Sequence, residues 1–163
     1  TAIRDDDPVL FLEHKACIFM KGEVPEEEYT IPFGQARIVR EGTDVTIVAM
    51  QKLVWDSMEA AAELEKEGIS VEIIDPRTLI PLDKETIFNS VKKTGKVIIA
   101  NEAPVRGSVS GEISALISEN CFEYLKAPIK RVGAANIPIP FGTNEAHVLP
   151  GKDDIIAAVK SII

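Results

Sequence analysis

The sequence has little of what marks several large protein classes. Its 163 residues include two cysteines and two histidines, and 18 lysines and arginines against 26 aspartates and glutamates give a net charge of −8. A nucleic-acid-binding protein needs a basic surface, so this balance argues against nucleic acid as a partner. No apolar run approaches the ~18 residues of a membrane span, and the start TAIRDDDP lacks the apolar stretch of a signal peptide. We expect no membrane association and a cytoplasmic or mitochondrial-matrix location.

The residues of common catalytic and metal sites are equally scarce. Cys17 and Cys121 form no motif and are interpreted as free thiols in a reducing compartment. His14 and His147 have no second ligand at helical or loop spacing, whereas zinc needs about three or four protein ligands. No serine lies in a Gly-x-Ser-x-Gly elbow. The first strand–helix turn, AMQKLV, contains no glycine, which argues against a nucleotide-phosphate cradle there.

What the chain does have is an alternation of strand and helix patterns. Apolar runs predict strands at residues 8–13, 35–40, 45–50, 70–75, 96–101 and 128–134. The segment 20–32, rich in proline and glutamate, is interpreted as a linker or arm. The pattern predicts an α/β protein, a three-layer α/β/α sandwich with a mostly parallel sheet. Residues 35–40 are expected to form an antiparallel edge strand, joined to the next strand by the EGTD turn.

Four helices are expected between and after these strands. They are predicted at residues 53–68, from the cap Asp83 to Gly95, at 108–125, and from Asp153 onward. Apolar spacing predicts which side chains face the sheet in the last two helices: Ile113, Leu116, Ile117 and Phe122, and then Ile155, Val159 and Ile162.

The stretch IIDPRTLIPLDKETI places Asp75 and Arg77 at the carboxyl end of a strand, where open α/β sheets bind ligands. One interpretation is that Asp75 and Arg77 bind a ligand as a charged pair. The other, which we favour, is an ion pair or backbone tie in a connection whose shape two prolines already restrict. Leu82 and Ile87, on either side of the Asp83 cap, are expected to form a hydrophobic staple.

The turn NEAPVRGSVSGEI is the second candidate site. Gly107, Ser108, Ser110 and Gly111 precede a helix, whose first N–H groups could hold an anion. A flexible turn with a serine cap explains the same residues. We favour this second interpretation, because the spacing matches no specific phosphate loop.

Several long motifs follow one another in a recognisable order: TAIRDDDPVLFLEHK, GEVPEEEYTIPFG, EKEGISVEIIDPRTLIPLDKETI and VKKTGKVIIANEAPVRG. The chain closely resembles the β subunit of the thiamine-diphosphate-dependent dehydrogenase component of 2-oxo-acid dehydrogenase complexes, which serve pyruvate, branched-chain 2-oxo acids or acetoin. Residues 1–30 resemble the end of the pyrimidine-binding domain and its connecting arm, and residues 31–163 resemble the transketolase C-terminal-like domain.

The resemblance implies that the chain is an assembly domain without catalytic or cofactor-binding residues of its own. In the family, the glutamate that activates the cofactor and the active-site histidine lie upstream of the matching region. Thiamine diphosphate and magnesium would therefore belong to the full enzyme, which carries out oxidative decarboxylation and acyl transfer to a lipoyl group. The matching region alone is expected to be inactive.

The resemblance also implies a cation and three partners. A monovalent cation, usually potassium, would bind at Ala2, Asp5 and Asp7, and hard oxygen ligands suit such an ion. The partners would be an α subunit, a second β subunit and the basic peripheral-subunit-binding domain of the acyltransferase core. Asp153 and Asp154 would contact that domain, although a helix-dipole role explains them equally well.

Two alternatives remain open. One is an acetoin dehydrogenase β subunit specifically. The other is a self-contained small ligand-binding α/β domain that uses a strand-end crevice lined by Asp75, Arg77 and the turn 107–111.

Overall fold

A central sheet of five strands organises the chain, which the computed structural model describes over residues 1–163. The strands are β1 (Arg37–Arg40), β2 (Val45–Ala49), β3 (Val71–Asp75), β4 (Val97–Pro104) and β5 (Lys130–Ala134). The helices are α1 (Lys52–Glu65), α2 (Lys84–Thr94), α3 (Val109–Cys121) and α4 (Lys152–Lys160). The strand order is β1-β3-β2-β4-β5, and only β1 runs antiparallel to its neighbour. The predicted mostly parallel sheet with an antiparallel edge strand is confirmed.

The helices cover both faces of the sheet. Helix α1 lies beside α4 in one apolar layer, and α2 lies beside α3 in the other. Ile47 and Val48, adjacent in β2, enter opposite apolar clusters because successive side chains of a strand point to opposite faces. The three-layer arrangement is therefore confirmed.

The neighbour of the edge strand differs from the expectation. Residues of β1 pair with β3, with Arg37 opposite Asp75, so β3 lies between β1 and β2. The connection from β1 to β2 therefore crosses the amino end of β3 and is not a simple hairpin turn. Gly42 permits this close passage, because a Cβ there would lie 2.2 Å from the carbonyl carbon of Val71.

Two other expectations are wrong. No strand forms at residues 8–13, and their side chains are exposed, because no other segment of the chain pairs with them. Helix α3 ends at Cys121, and a 3-10 turn follows, so Phe122 is 74% exposed and Cys121 is buried in its place. No helix combines the length and the apolar character that a membrane crossing requires.

The predicted helix boundaries around α2 are confirmed. Asp83 caps the helix by accepting the backbone N–H of Thr86 at 3.0 Å. Gly95 ends it in the left-handed conformation, with φ 74°. Leu82 and Ile87 belong to the same apolar layer. In α4 and the turn after it, the predicted set of Ile155, Val159 and Ile162 is buried.

Candidate functional site

The carboxyl ends of the four parallel strands lie along one edge of the sheet. From β2 the chain goes through α1 to β3 on one side, and from β4 it goes through α3 to β5 on the other. Ligands of doubly wound sheets bind where such connections diverge, which here is between the ends of β2 and β4.

The N-terminal arm crosses this edge and is tied to it by His14. The Nε2 atom of His14 lies 2.5 Å from a carboxylate oxygen of Glu102 in β4, and both side chains are largely buried. The Nδ1 atom accepts the backbone N–H of Ala16 at 3.1 Å, so the neutral ring carries its proton on Nε2 and donates it to Glu102. His14 is a structural tie. This tie could not be predicted from the sequence, because Glu102 is distant from His14 along the chain.

A cavity of about 430 Å³ lies beneath the arm, at the ends of β1 and β3 and against α1. Its polar and aromatic lining includes Cys17, Arg37, Gln51, Trp55 and Asp75. Arg37 and Asp75 are opposite each other in the pairing of β1 with β3, yet their side chains form no ion pair. The cavity therefore offers one positive and one negative group beside an indole ring.

Asp75 and Arg77 form a backbone tie. A carboxylate oxygen of Asp75 accepts the backbone N–H of Arg77 at 3.0 Å, and Arg77 has a φ of 58°. This is the Asx type of turn, in which a short acidic side chain replaces a backbone acceptor. Only Asp75 of the two lines the cavity. The interpretation of the pair as a backbone tie fits this geometry, and an ion pair is absent.

The connection from β3 to α2 is fastened to the residues before β1. Asp83 accepts the backbone N–H of Ala36 at 2.8 Å and the hydroxyl of Thr86 at 2.7 Å. Burial raises the pKa of Asp83, but the backbone N–H groups of Ala36 and Thr86 outweigh it, so the pKa lies below its usual value. Asp83 therefore joins the residues before β1 to the start of α2, and it also caps that helix.

The 107–111 turn enters α3 differently from the expected serine cap. Ser108 occupies the N-cap position, but its hydroxyl accepts no backbone N–H of the helix. The Oγ atoms of Ser108 and Ser110 lie 2.6 Å apart in a hydrogen bond. Gly107 has a φ of 73°, which favours glycine.

Ala2, Asp5 and Asp7 lie close together at the start of the arm. Ala2 opens a 3-10 turn that ends at Arg4, and a carboxylate oxygen of Asp5 accepts the backbone N–H of Asp7 at 3.0 Å. No group of three or more His, Cys, Asp or Glu side chains converges in the structure. The implied cation site relies on backbone oxygens and one side chain, so it stays a prediction.

Asp153 and Asp154 lie in the first turn of α4 and are exposed. Asp154 accepts the backbone N–H of Gly151 at 2.9 Å and thereby closes the first turn. Asp153 has no such bond. The two residues therefore differ: Asp154 has a structural role in this chain, and Asp153 is free to contact a partner.

Near the amino ends of the parallel strands lies a buried carboxylate that was not predicted from the sequence. Glu72 in β3 is 1% exposed and accepts hydrogen bonds from Nζ of Lys93 and from the backbone N–H of Gly42. Beside it, the hydroxyls of Thr46, Ser90 and Thr94 form a buried cluster. The available signal was a single charged residue inside an apolar strand, since such residues are almost never buried without a partner.

This fold and its strand-end site define a doubly wound α/β domain. A family model described as transketolase, C-terminal domain, matches residues 34–155. The chain therefore belongs to the transketolase C-terminal domain family. Among solved structures, it is similar to a split gene transketolase in an inactive beta4 tetramer, with a TM-score of 0.69, 30% identity, and coverage of 86% of this chain and 45% of that one.

Curated relatives confirm the resemblance to dehydrogenase β subunits. The chain is 47% identical to the acetoin:2,6-dichlorophenolindophenol oxidoreductase subunit beta of Bacillus subtilis, over 99% of this chain and 48% of the relative. It is 44% identical to the 2-oxoisovalerate dehydrogenase subunit beta of the same organism, over 99% and 50%. It is 43% identical to the B. subtilis pyruvate dehydrogenase E1 component subunit beta, over 100% and 50%. The chain spans about half the length of the curated relatives it matches.

Proposed function

We propose that the chain is the C-terminal assembly domain of the β subunit of a thiamine-diphosphate-dependent 2-oxo-acid dehydrogenase component. In the full complex, that component decarboxylates a 2-oxo acid oxidatively and passes the acyl unit to a lipoyl group. The observation that carries the proposal is the 43–47% identity to three dehydrogenase β subunits over 99–100% of this chain. The domain would contact an α subunit and a second β subunit, and would bind the acyltransferase core.

The residues at the strand-end edge do not fit thiamine diphosphate. Its diphosphate binds through magnesium, which needs carboxylate or carbonyl ligands in octahedral positions. No acidic cluster converges in this chain, and the turn from β2 to α1 contains Gln51 and no glycine. The cofactor would therefore be held by other parts of the assembly. A monovalent cation at Ala2, Asp5 and Asp7 is the ion proposed for this chain.

Titration of the chain with thiamine diphosphate and magnesium tests the proposal, with heat release as the readout. We expect no saturable binding by the chain alone. Stoichiometric binding would contradict the assembly role. A parallel titration with the basic peripheral-subunit-binding domain is expected to give saturable binding that weakens as salt is added, because exposed charge pairs are screened.

The three relatives do not separate an acetoin enzyme from a 2-oxo-acid enzyme, because their identities to this chain differ by only a few per cent.

The cavity beneath the arm favours a second candidate, a self-contained ligand-binding domain. Trp55, the single tryptophan, lines that cavity and is 48% exposed. A ligand entering there would change its fluorescence. A screen of small zwitterions that leaves the emission unchanged would remove this candidate.

A further inference from the structure

A second crevice lies along the strand-end edge, and no residue of the arm is part of its lining. It is about 590 Å³ in volume and is formed by the connection from β4 to α3 and by the end of β5. Its lining consists of Val105–Gly107, Arg131 and Ala134–Asn136. The charged side chains of this lining are two arginines, Arg106 and Arg131, and no acid accompanies them. The crevice is therefore a positive site on a chain whose net charge is −8.

Neither guanidinium is neutralised within the chain. Neither Arg106 nor Arg131 takes part in an ion pair within the structure. Arg131 donates one N–H to the carbonyl of Val105 at 2.9 Å, which fixes its position at the crevice and leaves its other donors unused. Glu112, the acid in the first turn of α3, is not part of the lining. Two planar donor groups are thus available, and such groups bind carboxylates and phosphates bidentately.

A buried amide behind the lining also lacks partners. Asn101 in β4 is 5% exposed, and neither its Oδ1 nor its Nδ2 atom makes a hydrogen bond. A Cβ placed on Gly133 would lie 3.4 Å from that Oδ1 atom and 3.1 Å from Cγ2 of Val105, so the amide is next to the crevice wall. A buried polar group without a partner costs free energy. A polar ligand, or a water held beneath it, would relieve that cost.

We propose that the crevice between Arg106 and Arg131 binds a small organic anion. The anionic group is a carboxylate or a phosphate held by the two guanidinium groups. Val105 and Ala134 contact a short apolar portion of the ligand. The size of the crevice falls in the range of about 300–1,000 Å³ that is usual for small-molecule sites. This inference goes beyond the assembly role, which needs no small ligand at this position.

Titration of the isotopically labelled chain with inorganic phosphate, and separately with propionate, tests the site by two-dimensional NMR. Sodium chloride is reduced as each probe is added, so that ionic strength stays constant. Saturable shifts are expected at the amide of Gly107 and at the side chain of Arg131. The probe with the higher affinity identifies which anionic group the site prefers.

Matched variants make the test specific. R106Q removes a guanidinium that makes no hydrogen bond or ion pair within the chain, and K66Q removes an equal charge from the exposed end of α1. R106Q is expected to weaken binding about tenfold or more, the loss typical of a charge-assisted hydrogen bond, while K66Q leaves it unchanged. Unaltered thermal unfolding of both variants shows that the fold is kept. Equal losses in the two variants, or no saturable shift at Gly107 with either probe, would overturn the proposal.

Discussion

Lys93 donates a hydrogen bond from its ammonium group to the buried carboxylate of Glu72, which joins helix α2 to strand β3. Lys93 also reaches Glu41 at 3.2 Å. Burial raises the pKa of Glu72, but the hydrogen bonds to this carboxylate, first those from Lys93 and Ser90, outweigh it, so the pKa lies below its usual value. The bond to Glu72 raises the pKa of Lys93. One lysine therefore neutralises a carboxylate that the sheet would otherwise have to bury alone.

Replacing that lysine should destabilise the chain. K93M leaves Glu72 buried without its cation, and we expect a loss of about 2 kcal/mol, below the full value for a buried pair because Lys93 is partly exposed. Urea unfolding followed by circular dichroism measures it. K84M, at the exposed start of the same helix, is the control and should change stability by less than about 0.5 kcal/mol. The double variant E72L/K93M should be more stable than K93M, since no charge remains buried. Equal stability of K93M and K84M would refute this role.

Asp83 should matter more than an ordinary helix cap. D83A removes the acceptor of the Thr86 backbone N–H and also that of Ala36, so we expect a loss of about 2 kcal/mol, at the upper end of measured caps. D83N keeps one side-chain oxygen as acceptor and should lose about half as much. Denaturant unfolding of both variants provides the measurement. Equal stability of D83A and D83N would show that the oxygen retained in D83N contributes nothing to stability.

Acid should remove the charge-dependent part of the contribution of Asp83. Its pKa is lowered in the folded chain, so this part of its stabilisation is present above the usual value of 3.8 and is lost as the pH falls through the lower folded value. The difference in unfolding free energy between the wild type and D83A should therefore shrink below about pH 3.8. Unfolding curves at a series of pH values, compared for the two proteins, measure this. A difference that stays constant to pH 2 would show that the charge is irrelevant.

The tie between His14 and Glu102 should govern how firmly the arm lies on the domain. E102A removes the acceptor of the hydrogen bond from His14, and we expect about fivefold faster tryptic cleavage at the exposed Lys15 and Lys21, which corresponds to about 1 kcal/mol. E112A, an exposed change on α3, is the control. Identical cleavage rates in the two variants would mean that other contacts hold the arm.

Charge reversal separates the two aspartates of α4, and this prediction depends on the proposed function. D153K keeps the capping bond of Asp154, so stability should fall by less than about 1 kcal/mol through the helix dipole alone, while capture of the basic peripheral-subunit-binding domain should weaken about fivefold. D154N should instead reduce stability slightly and leave capture nearly intact. E85K, on α2, serves as the charge-matched control. Capture of D153K equal to that of E85K would leave Asp153 without a binding role.

The layered fold could be predicted from the sequence because apolar period and capping residues are local signals. Asp83, Gly95 and the buried stripe of α4 follow from residues a few positions apart. Strand order is a different matter. The short EGTD turn predicts an adjacent hairpin, but β3 takes the place beside β1, since Gly42 allows the backbone to pass against Val71. No local pattern carries that information.

The site was harder to predict than the fold for the same reason. The ties from His14 to Glu102 and from Glu72 to Lys93 join residues on different elements, and neither pair has a recognisable spacing. The arginine crevice likewise brings together the ends of β4 and β5. Asp75 and Arg77 are only two positions apart, so their relation could be predicted from the sequence, and their backbone tie agrees with the favoured interpretation.

The two outermost strands of the sheet, β1 and β5, each expose unpaired backbone groups along one side. Both strands contain basic residues, Arg37 and Arg40 in β1 and Lys130 and Arg131 in β5, and only Arg40 of the four is paired with an acid. Like charges brought together by edge-to-edge pairing repel each other, and natural proteins use this to resist fibril formation. The basic residues of the outer strands therefore oppose edge-to-edge pairing of two sheets, and this repulsion is greatest at low salt.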